Sequence, residues 1–249
     1  MLNHVGGRFR TDGISLGTAL GSGLAWAYLL IESSRGTASL CLSGGSVELF
    51  ATSIVFAARS GLLQSEALHW LLMVTAMMLP LLVAPIRHVA ARSYRWRRGR
   101  AIAGFLAGYG AVWIFAGVGS VTLLVLLAVS GLLISSLAGV FALLTAAAWQ
   151  ISPFRNAAMR RCHRSVALAP RGWAADRDCI AFGLSHGLNC INGCLPLMLA
   201  TMIAFTSVVS AAALASLLYL ERGYQRSYRL VPALLLVGAS FMLAVPALN

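Results

Sequence analysis

The residues best equipped for chemistry lie between Asp178 and Met198, where His186, Cys190 and Cys194 recur every four positions. An α-helix turns by about 100° per residue, which sets Cys179, His186, Cys190 and Cys194 within an arc of roughly 80°. Side chains four apart have Cβ atoms about 5–6 Å apart and can converge on one ion. Thiolate and imidazole are soft to borderline ligands that suit Cu(I) or Zn(II). A plainer description also fits: the cysteines are small hydrophobes in a packed helix, and His186 hydrogen-bonds a neighbour. Asn189 and Asn192 add polarity that a lipid-facing surface would avoid. Pro196 cannot donate to the carbonyl of Asn192 and is expected to bend the helix. Only such a bend brings Met198 and Met202, the next four-residue steps, onto the cysteine face.

A second stripe runs His69, Met73, Met77 at the same spacing, followed by Met78 and Pro80. Thioethers bind Cu(I) well, although methionine is also a common filler of apolar cores. Packed against the cysteine helix, this stripe would complete a Cys/His/Met path from the outer face to mid-membrane. Cys162 and His163 stand in a basic segment where a metal could be handed over or received. Being adjacent, they point about 100° apart and do not chelate well alone. The candidate metal set is therefore His186, Cys190, Cys194, Cys179, His69, Met73, Met77 and Cys162. Copper is the first choice of ion and zinc an alternative. Haem held axially by His69 and His186 is a further alternative, which leaves the cysteine spacing unexplained.

Enzymatic signatures are missing from the sequence: there is no Gly-rich phosphate loop, nucleophile elbow or Ser/His/Asp set. Glu32, Glu48, Glu66, Asp176 and Asp178 read as solvated flanks of apolar runs, and Glu221 as an interfacial partner of Arg222. No carboxylate lies in mid-span, so proton-coupled transport has no support.

These residues must be positioned by membrane helices. The 249 residues are 59% hydrophobic and 10% charged, against about 25% charged in soluble domains. The formal charge of +12 comes entirely from arginine, and all but Arg35 and Arg59 fall in four clusters: Arg8 and Arg10, Arg87–Arg100, Arg155–Arg177 and Arg222–Arg229. Basic clusters separated by apolar runs follow the positive-inside rule, and no basic surface interleaved with base-stacking aromatics points to nucleic acid. The five cysteines form no disulfide framework; Cys41 alone is expected outside.

In chain order, Ile14–Ile31 is a first span, uncleaved, with Gly13, Gly17 and Gly21 spaced for close helix packing. Val47–Ala58 is too short to cross and suits an interfacial or re-entrant segment. Ala67–Ile86 is the second span, followed by a basic inside loop. Ala101–Gln150 must be two spans turning near Ser130-Gly131, since one helix of that length would reach about 75 Å across a ~30 Å core. Gly104 and Gly108 offer another close contact. Ile151–Arg177 is a second basic inside loop. Asp178–Glu221 is again two spans, turning near Phe205–Ser210, and Leu230–Leu248 is the last. The expected fold is all-α: a single integral membrane domain over residues 1–249, a polytopic transmembrane bundle of about seven spans (six possible). The N-terminus and the arginine clusters face inside.

Several motifs resemble a bacterial domain-of-unknown-function family, number 2182, described as predicted metal-binding integral membrane proteins, some labelled copper chaperone. They are Trp70-x-x-Met73-x-x-Ala76-Met77-Met78-x-Pro80, Gly108-Tyr109-x-x-x-Trp113, Gln150-x-x-Pro153-x-Arg155 leading to Cys162, and His186-Gly187-x-x-Cys190-x-x-Gly193-Cys194. The resemblance covers residues 68–221, about the family-like core. Leu195 and Ala158 stand where the family usually has two more cysteines, and Pro196 where it has Trp. The resemblance implies a membrane-embedded copper-binding protein that passes copper to a membrane or periplasmic partner in a bacterial inner membrane. The lost thiols and glycine-lined helix faces leave a non-catalytic structural subunit of a larger membrane complex as the rival.

Overall fold

The computed structural model describes residues 2–34, 62–129, 136–162, 164, 166–204 and short helical pieces between 212 and 239. Among them are seven α-helices and no strand. We number them α1 (Leu2–Ser34), α2 (Leu62–Met78), α3 (Val83–Arg92), α4 (Arg98–Val129), α5 (Ser136–Ile151), α6 (Pro153–Cys162) and α7 (Gly172–Ala204). The all-helical expectation holds. Within the described residues, Gly13–Glu32, Ala67–Arg92 and Arg95–Leu124 are long and apolar enough to cross a membrane. The 50-residue apolar run divides as its length demands, α4 ending at Val129 and α5 starting at Ser136. Cys41, the Val47–Ala58 segment, the turn after Ala204 and most of the last expected span lie outside the described residues.

Two pairs of helices organise the molecule. α1 runs antiparallel to α2 and α3, tied at three levels. Glu32 meets His69 at one end, the Ser22 hydroxyl donates to the Ala76 carbonyl at 2.7 Å in the middle, and Arg87 donates to the Ser15 hydroxyl at the other end. α4 and α7 run parallel in the most extensive contact of the fold, and α5 and α6 pack on the same α7. Glycine makes the α4–α7 approach possible. A Cβ on Gly183 would collide with the Phe105 carbonyl, and one on Gly108 with the Ile180 carbonyl, so the two backbones lie directly against each other. Backbone contact through small residues is the way helices associate where lipid removes the hydrophobic drive. The Gly104/Gly108 expectation is met by this contact. That for Gly13, Gly17 and Gly21 holds only at Gly21, which receives Leu79; nothing lies within 4 Å of the other two.

Two flanking acids are not solvated as expected. Asp176 draws the buried Arg97 and the exposed Arg100 to the joint start of α4 and α7, the latter at 2.8 Å. Glu32 pairs with buried His69 at 3.1 Å. An ionised group beside an apolar bundle is held where a partner offsets its lost hydration. The second basic loop also contains a helix. Ser152 accepts hydrogen bonds from the Phe154 and Arg155 amides (3.1 and 3.4 Å), and Pro153 takes the first helical position, so Ser-Pro starts α6.

Gly183→Val should separate α4 from α7 and destabilise the fold by ~2 kcal/mol or more, the scale of overpacking. Gly110→Ala, with nothing within 4 Å of its added methyl, should leave stability unchanged. Thermal unfolding of the two variants in detergent compares them directly; equal midpoints would contradict the glycine contact.

Candidate metal centre

Three sulfurs meet in the core. The Cys190 Sγ lies 3.8 Å from the Cys194 Sγ and 3.8 Å from the Met78 Sδ. All three side chains are sealed, at 0%, 1% and 1% exposure. The i, i+4 spacing places both thiols on one face of α7, and the α4–α7 contact turns that face inward. Met78 arrives from the opposite side, at the point where Pro80 converts α2 into the 3-10 turn Leu79–Leu82. Two sulfurs 3.8 Å apart can both stand ~2.3 Å, a metal–thiolate bond length, from one ion between them.

Each thiol of the pair has an acceptor. Cys190 donates to the Met78 thioether and Cys194 donates to the Cys190 carbonyl at 2.7 Å. Tyr109 of α4, brought in by the glycine contact, donates its hydroxyl to the Cys190 Sγ at 3.3 Å inside the core. That donor matters more once Cys190 becomes a thiolate, because a hydrogen bond to the charged form stabilises it.

The other predicted residues are placed as follows. His186 is buried one turn before Cys190 in an aromatic box, its ring about 6 Å from those of Phe105, Tyr109 and Phe182. Cys179 is buried against Gly104, about 16 Å along α7 from Cys190 at 1.5 Å per residue, so it does not join the thiol pair. Met73 and Met77 belong to the same apolar core as the sulfur cluster, but the sulfur that reaches Cys190 is Met78. His69 is buried at the far end of α2, its Nδ1 on Glu32. Cys162 ends α6, partly exposed. Met198 and Met202 are buried in the core with Cys190 and Cys194, on the helix that contains Pro196. Among the described residues no group of three or more His, Cys, Asp or Glu could hold a metal. The convergent donor set is two thiols and a thioether.

From the sequence, Met78, Tyr109 and Arg155 stand in motifs without a part in the metal set, and Trp149 is not singled out. Trp149 of α5 donates its indole N–H to the Asn192 carbonyl at 2.8 Å, and the buried Arg155 of α6 donates Nε to the Gly193 carbonyl at 3.2 Å. A signal did exist: Pro196 leaves the Asn192 carbonyl without its helical donor, so some neighbouring group had to supply one.

The fold is an apolar helical bundle that encloses a cluster of soft sulfur donors. A family model described as copper chaperone, PpoB2, matches residues 67–245, and the chain belongs to that family. Searches of curated proteins and of solved structures find no match.

N-ethylmaleimide should label Cys162 quickly in the folded protein. Cys179, Cys190 and Cys194 should react only after denaturation, as read by peptide mass spectrometry. Fast labelling of Cys190 without unfolding would contradict its burial.

Proposed function

We propose that this protein binds Cu(I) between Cys190, Cys194 and Met78 within a bacterial inner membrane and hands it to a membrane or periplasmic partner. The observation that carries this reading is the sulfur triangle, with Cys190 Sγ 3.8 Å from both other sulfurs. Family membership supports copper as the cargo. Soft thiolate and thioether donors favour Cu(I) over hard cations, and a thioether is a poor choice for zinc.

Loading replaces two S–H protons by one Cu(I): two thiols and Cu⁺ give a copper dithiolate of charge −1 and two protons. The thioether adds a neutral third donor, and Tyr109 O–H offsets part of the residual charge on Cys190. Transfer is ligand exchange, in which an incoming thiolate or thioether replaces one sulfur at a time. No bond to carbon forms or breaks, so no catalytic residue is assigned. His186, His69, Met73, Met77 and Cys162 belong to the approaches to this site, and Cys179 to the α4–α7 packing. The membrane setting is supported by the three long apolar helices and by the arginine clusters, whose distribution favours an inside N-terminus. Tyr94, Trp96, Phe154 and Trp173 add exposed aromatics beside those arginines, as at a headgroup interface.

Purified protein loaded anaerobically should hold one Cu(I) per chain by metal analysis. The Cys190→Ser/Cys194→Ser double variant should hold none, and Met78→Leu should bind roughly ten-fold more weakly, ~1.4 kcal/mol. Equal copper in wild type and double variant would sink the proposal.

A further inference from the structure

Each outer sulfur of the triangle stands two residues before a helix-breaking proline: Met78 before Pro80 and Cys194 before Pro196. A proline withholds the N–H that would bond the carbonyl four residues earlier. Those carbonyls belong to Ala76 and Asn192, and a side chain from a neighbouring helix reaches each. Ser22 of α1 donates to Ala76 O at 2.7 Å, and Trp149 of α5 donates to Asn192 O at 2.8 Å. A second grip lies beside the thiols. Arg155, at 1% exposure, donates to the Gly193 carbonyl, the residue before Cys194. The stretch Cys190–Pro196 is thus held through three successive side-chain bonds to its carbonyls, from Cys194 on Cys190 O, Trp149 on Asn192 O and Arg155 on Gly193 O.

We propose that Trp149 and Arg155 are positioning residues for the copper site. They hold the α7 backbone beside Pro196, next to Cys194, in the register that keeps the Cys190 and Cys194 sulfurs together and close to Met78. Ser22 is their counterpart at the Pro80 break. A carbonyl that a proline deprives of its helical donor is costly to leave unpaired, so α7 without these side chains would shift or twist to recover a bond. Either movement rotates Cys194 relative to Cys190 and disturbs the 3.8 Å approach of their sulfurs. Arg155 sits in the first turn of α6, the helix that ends at Cys162, so displacement of α6 at the surface is transmitted to the thiol pair. This role rests on the copper reading of the same site.

The test is a double-mutant cycle between Trp149 and Pro196, with Cu(I) affinity measured against a competing chelator. Trp149→Phe keeps an aromatic side chain and removes the N–H, and should weaken Cu(I) binding about five-fold, the net worth of one hydrogen bond to a backbone carbonyl. Pro196→Ala restores a backbone donor to Asn192 O. In that background Trp149→Phe should change affinity by less than about two-fold, because the coupling between contacting residues is what the cycle isolates. Arg155→Met should weaken binding and Arg155→Lys restore part of it. The Trp149 indole resonance of ¹⁵N-labelled protein, assigned by its loss in Trp149→Phe, gives a readout without copper. It should lie at a hydrogen-bonded position in wild type and move toward the free position in Pro196→Ala. A wild type that binds no Cu(I) would defeat the proposed function while leaving this resonance to report on the clamp. A resonance unmoved by Pro196→Ala, or an equal affinity loss for Trp149→Phe in both backgrounds, would overturn the clamp.

Discussion

The close backbone approach of α4 and α7 is the constraint on which the remaining geometry depends. Phe105 and Ile180 carbonyls occupy the space that side chains would take at Gly183 and Gly108. Because the helices are parallel, each turn of contact brings a particular pair together: Arg97 with Asp176 at the start, then Tyr109 with His186 and Cys190 further along. A wider separation would leave the Tyr109 hydroxyl short of the Cys190 sulfur. It would also take Phe105 and Tyr109 away from His186, which they enclose together with Phe182 from α7 itself.

Polar atoms in an apolar bundle are costly unless they are satisfied locally, and this chain satisfies many of them. Thr18, Thr75, Ser120, Thr122 and Thr145 return their hydroxyls to carbonyls one turn back on their own helices. The proline breaks need help from outside the helix, and it comes from Ser22 and Trp149. Trp70 follows the same logic across helices, its indole lying on Gly117 and donating to the Trp113 carbonyl at 3.1 Å. Satisfied in this way, irregular backbone is tolerable at membrane depth where protein surrounds it. Two of the sulfurs, Met78 and Cys194, sit two residues before the prolines at these points.

Much of the scaffold was readable before any coordinates. Apolar runs bounded by arginines placed the helices. The length of Ala101–Gln150 required a break, and the four-residue spacing put Cys190 and Cys194 on one face. The helix within the second basic loop was announced by Ser152-Pro153 and went unread because its composition is that of a loop. The acids were misjudged for a similar reason. A carboxylate at the end of an apolar run looks solvated until the arginine or histidine opposite it is known, as Arg97 and Arg100 are for Asp176 and His69 is for Glu32.

Composition and spacing by themselves determined an all-helical chain with a soft-donor face on the helix that became α7, since hydrophobic run length and helical period are local properties of the chain. They also marked the carbonyl of Asn192 as lacking a helical partner, because a proline's missing N–H is a covalent fact. Only the tertiary structure decided that Met78, not Met73 or Met77, reaches Cys190, and that Cys179 stays with the α4 contact. Those choices depend on rotation and rise between helices far apart in sequence. These are set by where glycines admit a neighbour's backbone and where prolines turn the register, and no period within a single helix encodes them.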